Sequence, residues 1–188
     1  MDSWSQAMNI ESPSIRLRAF TRQDKDTTLS WRNMPEIRDA VMGFRFPVTD
    51  VMEDMWYDKV LDGNDKSLAY FAIELVENSR LIGFCSLTDI DYQSSNAQFG
   101  IMIGDAKFQG KGVGAEALAH TVEYAFRSLN LHRIYVMVRG TNERAANLFN
   151  QAGFKSEGVM REHYFVNGHY EDVMIMSLLK IDYPSLSK

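Results

Sequence analysis

Apolar and polar residues alternate along several short segments of the chain, and this pattern is typical of β-strands with one buried face. The first such segment runs from 14 to 20. Three more lie at 69–75, 81–90 and 97–103, and turn-forming residues separate them. Strands that follow one another at such short intervals predict an antiparallel meander. A more continuously apolar segment at 133–140 predicts one buried strand further along the chain.

Helical periodicity fills most of the remaining chain. Thr21 and Asp24 occupy the capping-box positions of one predicted helix, and Pro35 suits the first turn of the next. The segment 49–62 predicts a helix with one apolar face, formed by Val51, Met52, Met55, Trp56 and Val60. The longest stripe predicts an amphipathic helix over 113–129 and is formed by Val113, Ala117, Leu118, Val122, Ala125, Phe126 and Leu129.

The C-terminal third predicts one more helix and then a hairpin. Asn142 suits the N-cap of this helix and Gly153 its C-cap. The segments 154–166 and 169–179 have strand-like alternation, and Asn167-Gly168 joins them. An Asn-Gly pair between two such segments is a strong signal for a tight β-hairpin.

The order of these elements predicts one mixed α/β (α+β) domain over 14–182, preceded by a tail, 1–13, in which Met8 is an alternative start. The net charge of −5 excludes a broad nucleic-acid-binding surface. Cys85 is the only cysteine, so no internal disulfide can form and a cytoplasmic location is expected. No stretch reads as a signal peptide or a membrane span, so no membrane partner is expected.

The first candidate binding site is a glycine-rich loop, FQGKGVGAEAL, which precedes and begins the longest predicted helix. Gly110, Gly112 and Gly114 remove side chains where the backbone can approach an anion. A nucleotide-triphosphate loop is excluded, because Lys111 is followed by glycine instead of Ser or Thr. A dinucleotide fingerprint that would bind NADPH matches formally, but it lies too far beyond the preceding strand. A plain glycine turn that caps a core helix is the other alternative.

The loop belongs to a longer series that runs from about 97 to 154: a strand, the loop, a helix, a second strand and an asparagine-headed helix ending Ala152-Gly153-Phe154. This series resembles the GNAT acetyltransferase superfamily, whose diphosphate loop reads [Q/R]-x-x-G-x-[G/A]. The flanking segments are similar to the branch of ribosomal-protein N-terminal acetyltransferases and spermidine N-acetyltransferases. The resemblance implies a twisted, mostly antiparallel sheet of about seven strands with about four helices. It also implies a V-shaped gap between strands 97–103 and 133–140.

By this resemblance, the chain is an N-acetyltransferase that transfers acetyl from acetyl-CoA to a primary amine. Backbone N–H groups of 111–115 would hold the diphosphate of coenzyme A, and the pantetheine arm would pair with 101–103 like an added strand. The N–H of Met102 or Ile103 would polarise the thioester carbonyl. The residues implied to bind the cofactor are Ile101, Met102, Ile103, Gln109, Gly110, Lys111, Gly112, Val113, Gly114, Ala115, Asn142 and Phe149.

The chain departs from its relatives where they usually carry an acid or a base. Gln98 stands in place of a frequent Glu, Ala145 in place of the serine of the ribosomal-protein enzymes, and Phe149 in place of a frequent Tyr. Tyr164 and Asp89 are therefore candidates for the catalytic groups. Further candidates are Asp91, Tyr92, His163 and Tyr170.

Two other outcomes stay open at this stage. Positioning, oxyanion stabilisation and a water path would be sufficient without a dedicated acid and base. Alternatively, the chain is a CoA-binding regulatory module, or a degenerate member of the superfamily, without turnover. No metal site is expected, because the four histidines lack ligand spacing.

The acceptor amine has to be inferred from the N-terminal half. The stretch LSWRNMPEIRDAVM resembles a segment of relatives that acetylate amino groups on nucleotide-activated sugars, so Trp31, Arg32 and Asn33 are candidates for acceptor binding. The alternative is a helix end with Trp31 in the core and Arg32 against the helix dipole.

Other acceptors have their own support. Asp50, Glu53 and Asp54 would suit a polyamine, although they also read as an ordinary solvated first helical turn. A peptide α-amine stays open as well. The acceptor is thus a small-molecule or peptide amine, and a homodimer or a higher homo-oligomer is compatible with the resemblance.

Overall fold

The computed structural model describes residues 10–43 and 46–183. The strands within these residues are β1 (Ile10–Glu11), β2 (Ile15–Arg18), β3 (Ala69–Leu75), β4 (Leu81–Asp91), β5 (Asn96–Ile103), β6 (Arg133–Arg139), β7 (Lys155–Val166) and β8 (His169–Leu179). They form one sheet in the order β1-β2-β3-β4-β5-β6-β8-β7. All neighbours are antiparallel except β5 and β6, which are parallel. The predicted meander is therefore confirmed, and β1 adds a strand inside the segment expected to be a tail, of which residues 1–9 lie outside the described residues.

Helices flank this sheet. They are α1 (Lys25–Arg32), α2 (Pro35–Ala40), α3 (Asp50–Asp62), α4 (Val113–Arg127) and α5 (Glu143–Gln151), with short 3-10 turns at Arg22–Asp24, Ala106–Phe108 and Lys180–Asp182. In the part of the chain that the structure describes, no helix combines the length and the hydropathy needed to span a membrane. The architecture is the expected one, with one strand and one helix more than the resemblance implied.

The parallel pair β5 and β6 is joined only at its beginning. The two strands pair from Asn96 and Arg133 as far as Gln98 and Tyr135, whereas β5 continues to Ile103 and β6 to Arg139. Beyond Tyr135, the edge of β6 that faces β5 forms no strand pairs within the described chain, and β6 is paired only with β8 on its opposite edge. The sheet therefore opens into the V-shaped gap that the family resemblance implies, and its apex lies next to Gln98 and Tyr135.

The alternation of side chains in β5 separates two cores. Ala97 and Phe99 are buried in the main cluster, together with the apolar stripe of α4 and with Phe149 of α5. Met102 points to the other face and is buried in a second cluster with residues of α1, α2 and α3. Successive residues of a strand face opposite sides, so Gly100 and Gln98 share the second face with Met102.

Several local predictions are confirmed by backbone geometry. Thr21 and Asp24 form the capping box before α1, and Pro35 is the first residue of α2. Asn167 and Gly168 have φ angles of 48° and 85°, as the tight turn between β7 and β8 requires. These features depend on a few neighbouring residues, which is why the sequence shows them.

The predicted apolar face of α3 is buried only in part, because Trp56 and Val60 pack against the second cluster whereas the residues of the first turns do not. Val51 and Met55 are each 67% exposed, and Met52 is also exposed. The residues of α3 that are buried are Glu53 and Tyr57. The physical reason is a polar network beneath α3 that draws these two side chains inward, and it leaves the apolar residues of the first turns at the surface.

Candidate active site

The glycine-rich loop has the backbone conformation that only glycine adopts readily. Gly110 has φ of 74° and Gly112 has φ of 87°, and Gly112 is the N-cap of α4. A Cβ atom added to Gly112 would meet nothing within 4 Å, so the space above this residue is open. The side chain of Gln109 connects the loop to the end of β5, since its Nε2 donates to the Ile103 carbonyl at 2.9 Å. The loop therefore lies at the open end of the gap.

Three backbone N–H groups are available at the start of α4. Among the described residues, those of Gly112, Val113 and Gly114 have no hydrogen-bond acceptor. The Lys111 N–H is bonded to the Phe108 carbonyl at 3.4 Å, and that of Ala115 to the Gly112 carbonyl at 2.9 Å. The start of α4 thus has three free donors, fewer than the five expected from 111–115. Free N–H groups at a helix N-terminus bind phosphate oxygens well.

A cleft of about 640 Å³ extends from the loop along the gap. Most of the residues expected to bind the cofactor line it, namely Ile101, Met102, Ile103, Gln109, Gly110, Gly112, Gly114, Ala115 and Asn142. Val113 is buried in the core below the loop, so only its backbone faces the site. The Asn142 side chain caps α5 by accepting from the Ala145 N–H at 3.0 Å. The α5 segment of the wall includes Ala145 and Leu148.

Arg144 lines the cleft as well, and the sequence analysis did not identify it. Its Nη2 lies 3.8 Å from the position of a Cβ atom on Gly110, and its Nη1 is 3.5 Å from Gln109 Oε1. No carboxylate of the described chain pairs with this guanidinium. The sequence feature that could have indicated this role is a basic residue two positions after Asn142, because the first turn of α5 faces the loop.

Phe149 is buried in the main core and is not among the residues that line the cleft. It is 4% exposed, and its ring centre lies 6.1 Å from that of Phe99 in an edge-on arrangement. Phe99 directly follows the last pair of β5 with β6, so this aromatic contact lies at the apex of the gap. An apolar ring here offers packing and has no proton to donate.

Trp31, Arg32 and Asn33 lie at the end of α1, and none of them lines the cleft. Trp31 is buried against Gly104, where any Cβ atom would overlap the indole ring. Asn33 accepts from the Val48 N–H and donates to the Val48 carbonyl, each at 2.9 Å. These contacts agree with the alternative of a helix end with Trp31 in the core, and a role of the three residues in acceptor binding stays a prediction.

The Arg32 side chain joins the polar network beneath α3. Its Nη1 lies 3.3 Å from Glu53 Oε2, and its guanidinium carbon is 3.9 Å from the centre of the Trp56 ring. Thr28 donates to Glu53 at 2.6 Å and is 3.1 Å from the Tyr57 hydroxyl. Burial lowers the pKa of Arg32 and raises that of Tyr57. The network explains why α3 buries a carboxylate.

A second ion pair anchors α2 across the cleft. Arg139 donates to Glu171 at 2.7 and 2.9 Å and also bonds the Asp39 carbonyl of α2. The hydrogen bonds from Arg139, and then that from Thr141, lower the pKa of Glu171 to about 2. His169 also contacts this carboxylate, at 3.1 Å. The pair therefore fixes the helix whose residues 37, 40 and 41 line the cleft.

The two candidate catalytic groups lie elsewhere. Tyr164 is 7% exposed in a small cluster with Val166 and Val173, and its ring centre is 5.8 Å from the Arg139 guanidinium carbon. Asp89 is exposed on β4. The structure does not place either of them in the wall of the cleft, so their catalytic role stays a prediction.

Comparison with known proteins agrees with this geometry. The family described as "Acetyltransferase (GNAT) domain" matches residues 14–155, which include the loop and both strands of the gap. The chain belongs to the GNAT acetyltransferase family. Acetyl-CoA is accordingly the acyl donor, and the NADPH interpretation of the loop is set aside. The chain is an N-acetyltransferase of this family.

Its relatives act on different amines. A spermidine N(1)-acetyltransferase of Vibrio cholerae is 30% identical over 93% of this chain and 98% of that protein. A [ribosomal protein uS5]-alanine N-acetyltransferase of Escherichia coli is 29% identical over 62% of this chain and 60% of that protein. The crystal structure of the Vibrio cholerae enzyme with CoA and spermine has a TM-score of 0.79 and 30% identity, covering 90% of this chain and 97% of that one. A further structure of that enzyme, described as dodecameric, has a TM-score of 0.78.

Proposed function

We propose that the cleft between the glycine loop and the apex of the gap holds acetyl-CoA and carries out the transfer to a primary amine. The observation that carries this proposal is the combination of three free N–H groups at one end of the cleft with unpaired strand edges at the other. The N–H groups suit the diphosphate, and the open edge of β5 suits a pantetheine arm bound like a strand. When bound, acetyl-CoA supplies an activated acyl group.

Catalysis would rest on positioning, because Gln98, Ala145 and Phe149 leave the usual acid and base positions without a titratable group. A backbone N–H of β5 near Met102 or Ile103 would stabilise the developing oxyanion, and solvent would take the proton of the amine. Tyr164 and Asp89 stay candidates for a proton path outside the described cleft. The same three substitutions motivate the alternative of a CoA-binding module without turnover.

The small number of free carboxylates near the cleft favours an acceptor amine with fewer positive charges than a polyamine. Asp50 and Asp54 are held by Lys25 at 3.0 and 2.6 Å, and Glu53 is paired with Arg32. Along the described wall of the cleft, Glu143 is the only carboxylate. A polyamine needs several free carboxylates, so a peptide α-amine or an amino sugar fits this site better.

One experiment decides between these functions. Thiol release from acetyl-CoA is measured with spermidine, spermine, an amino-sugar nucleotide, an aminoglycoside and tri-alanine, and CoA affinity is measured by calorimetry. We expect CoA binding and the highest kcat/KM with an acceptor of low charge. CoA binding without release for any amine would favour the regulatory module, and preference for spermine would contradict the acceptor proposal.

Self-association is the second part of the proposal. The exposed apolar side chains Val51, Met52 and Met55 on α3 form a surface that a second copy of the chain would cover. Light scattering should show an oligomer that Met55→Glu dissociates, and a monomer at all concentrations would contradict this. A cytoplasmic location is proposed with it, on the support of a single cysteine, which is free and buried.

A further inference from the structure

The helix α2 forms part of the cleft wall, but it is too short to keep its position without support. It has only six residues, and a helix of that length is marginal in water by itself. Its residues Ile37 and Ala40, together with Val41 directly after it, line the same cleft as the glycine-rich loop. Ile37 is buried in the second cluster, and Val41 packs against it. The rest of the position of α2 depends on polar contacts at its C-terminal end, which are made by Asp39.

Arg139, the last residue of β6, makes the first of these contacts. Its Nε and Nη2 are used by Glu171, and its Nη1 donates to the Asp39 carbonyl. The last carbonyl groups of a helix have no partner inside the helix, so a basic side chain that donates to one of them supports the helix end. The side chains of Arg139 and Glu171 are only 12% and 6% exposed. The carboxylate therefore fixes the guanidinium in the orientation that reaches α2.

The hairpin of β7 and β8 supports the same end of α2. Asn167 Nδ2, in the turn of the hairpin, donates to Asp39 Oδ2 at 3.1 Å. Met42, three residues further along the chain, packs against the small apolar cluster around Tyr164. The strands β6, β8 and β7 all lie on one side of the gap, whereas β5 and the loop that follows it lie on the other. These contacts therefore determine how far α2 lies from the glycine-rich loop.

We propose that Arg139 is a positioning residue for the acceptor amine, because it fixes the part of the cleft wall that α2 forms. The inference rests on the proposed function, in which the amine enters this cleft. Arg139 is not among the residues that line the cleft, so it acts through the Asp39 carbonyl and α2. A wall that is already in place when the amine arrives does not have to be ordered on binding. Loss of the contact should therefore weaken amine binding, whereas CoA affinity, which depends on the loop across the gap, should stay unchanged.

The test compares Arg139→Gln with Arg133→Gln. Arg133 is the first residue of β6 and forms the same kind of ion pair, with Glu157 of β7, and its other described contact is with the Tyr135 ring. Steady-state kinetics with acetyl-CoA and tri-alanine, and separately with spermidine, gives KM and kcat for each amine. Calorimetry measures CoA affinity. Hydrogen exchange of the peptide 35–42 shows whether α2 has become less firmly held.

We expect Arg139→Gln to raise the KM of the amine at least about fivefold, with kcat and CoA affinity within about twofold of the unaltered protein. Exchange of the α2 amides should become faster in this variant. Arg133→Gln should leave the KM within about twofold and the exchange of α2 unchanged. A role of Arg139 in stability alone would lower the melting temperature of its variant without this selective change in KM.

Asn167→Gly is the second variant, for the case that Arg139→Gln does not fold. Glycine readily adopts the positive φ of Asn167, so the turn is kept, and only the contact with the Asp39 carboxylate is lost. The KM of the amine should rise by about two- to threefold. An unchanged KM in both variants, or an equal rise in Arg133→Gln, would overturn the proposal. A lack of CoA binding or of transfer to either amine by the unaltered protein would overturn the proposed function, and this inference with it.

Discussion

The two sides of the cleft are built in different ways. On the cofactor side, the loop at 109–115 presents backbone N–H groups, left-handed glycines and one guanidinium, that of Arg144. On the other side, where the acceptor is proposed to bind, α1, α2 and α3 are held by buried ion pairs whose charged groups face each other instead of the cleft. The first side is organised to meet a ligand, and the second is organised to hold three short helices in place.

This difference teaches where mutations should act. A short segment that binds through its backbone tolerates few side chains, so a substitution there should change affinity and leave stability nearly intact. A buried ion pair away from the cleft does not contact a ligand, so breaking it should lower the free energy of unfolding and leave cofactor affinity unchanged.

Arg32→Ala should destabilise the protein by about 3–5 kcal/mol, because it leaves the fully buried Glu53 without a counter-charge. Chemical denaturation of the variant measures the free energy of unfolding. Arg22→Ala is the control, since this residue pairs with Asp54 and Asp58 at the surface and its loss should cost under about 1 kcal/mol. A stable Arg32→Ala protein with a raised KM for the amine would instead restore the acceptor role predicted from the sequence.

Gly112→Val should weaken CoA binding at least about a hundredfold, close to 2.7 kcal/mol, because its side chain would occupy the space the diphosphate needs. Calorimetry on the folded variant checks this. Gly63→Val separates strain from blocking, since Gly63 also has positive φ and open space but lies at the end of α3. The two variants should lose similar stability, and equal CoA affinity in both would refute the proposed site.

Arg144→Gln should weaken CoA binding by about tenfold, which is the usual size of one charge-assisted contact to a phosphate. Arg127→Gln, at the far end of α4, is the control. Comparison with dephospho-CoA shows which phosphate is involved: the deficit should vanish for a contact with the ribose phosphate and persist for one with the diphosphate. Unchanged affinity for both ligands would exclude Arg144 from the site.

Glu171→Gln should remove a pH-dependent part of the stability. Because the hydrogen bonds from Arg139 lower the carboxyl pKa from 4.5 to about 2, its contribution is fully present above pH 4.5 and is lost as the pH falls towards 2. The melting temperatures of the variant and the unaltered protein should therefore converge over that interval. A difference that stays constant over that interval would contradict the prediction.

Phe149→Tyr is the smallest change. We expect CoA affinity to stay within about twofold, since the ring keeps its place against Phe99 and Phe154. Turnover should rise, because a phenol at the apex could donate a proton to the departing thiolate. A collapse of CoA affinity would show that the ring lies away from the thiol end of the cofactor.

Much of the fold could be predicted from the sequence, because the patterns that decide it are local. The strands β3 and β8 have the predicted bounds, and the Asn167-Gly168 turn needs only two residues. On the cofactor side the same holds, since Gly110, Gly112 and the start of α4 lie within one short segment. The family resemblance added what the pattern alone left open, namely the expectation that this loop binds coenzyme A.

The acceptor side depended on tertiary contacts that no local pattern contains. The periodicity of α3 predicts one apolar face, formed by Val51, Met52, Met55, Trp56 and Val60, but only Trp56 and Val60 pack against the core. The first turns bury Glu53 instead, and a buried carboxylate needs a partner charge, which Arg32 of another helix supplies.

The sequence by itself therefore determined the order of the elements, the glycine loop and the family. Only the tertiary structure decided two things: that Arg32 turns inward and that Arg144 reaches the loop. Each of these contacts joins residues from different elements, and their distances follow from how the sheet opens and how the helices pack. Hydrophobic periodicity indicates which face of a single helix or strand is buried. A contact between polar side chains of two elements also depends on how those elements are placed relative to each other in the fold.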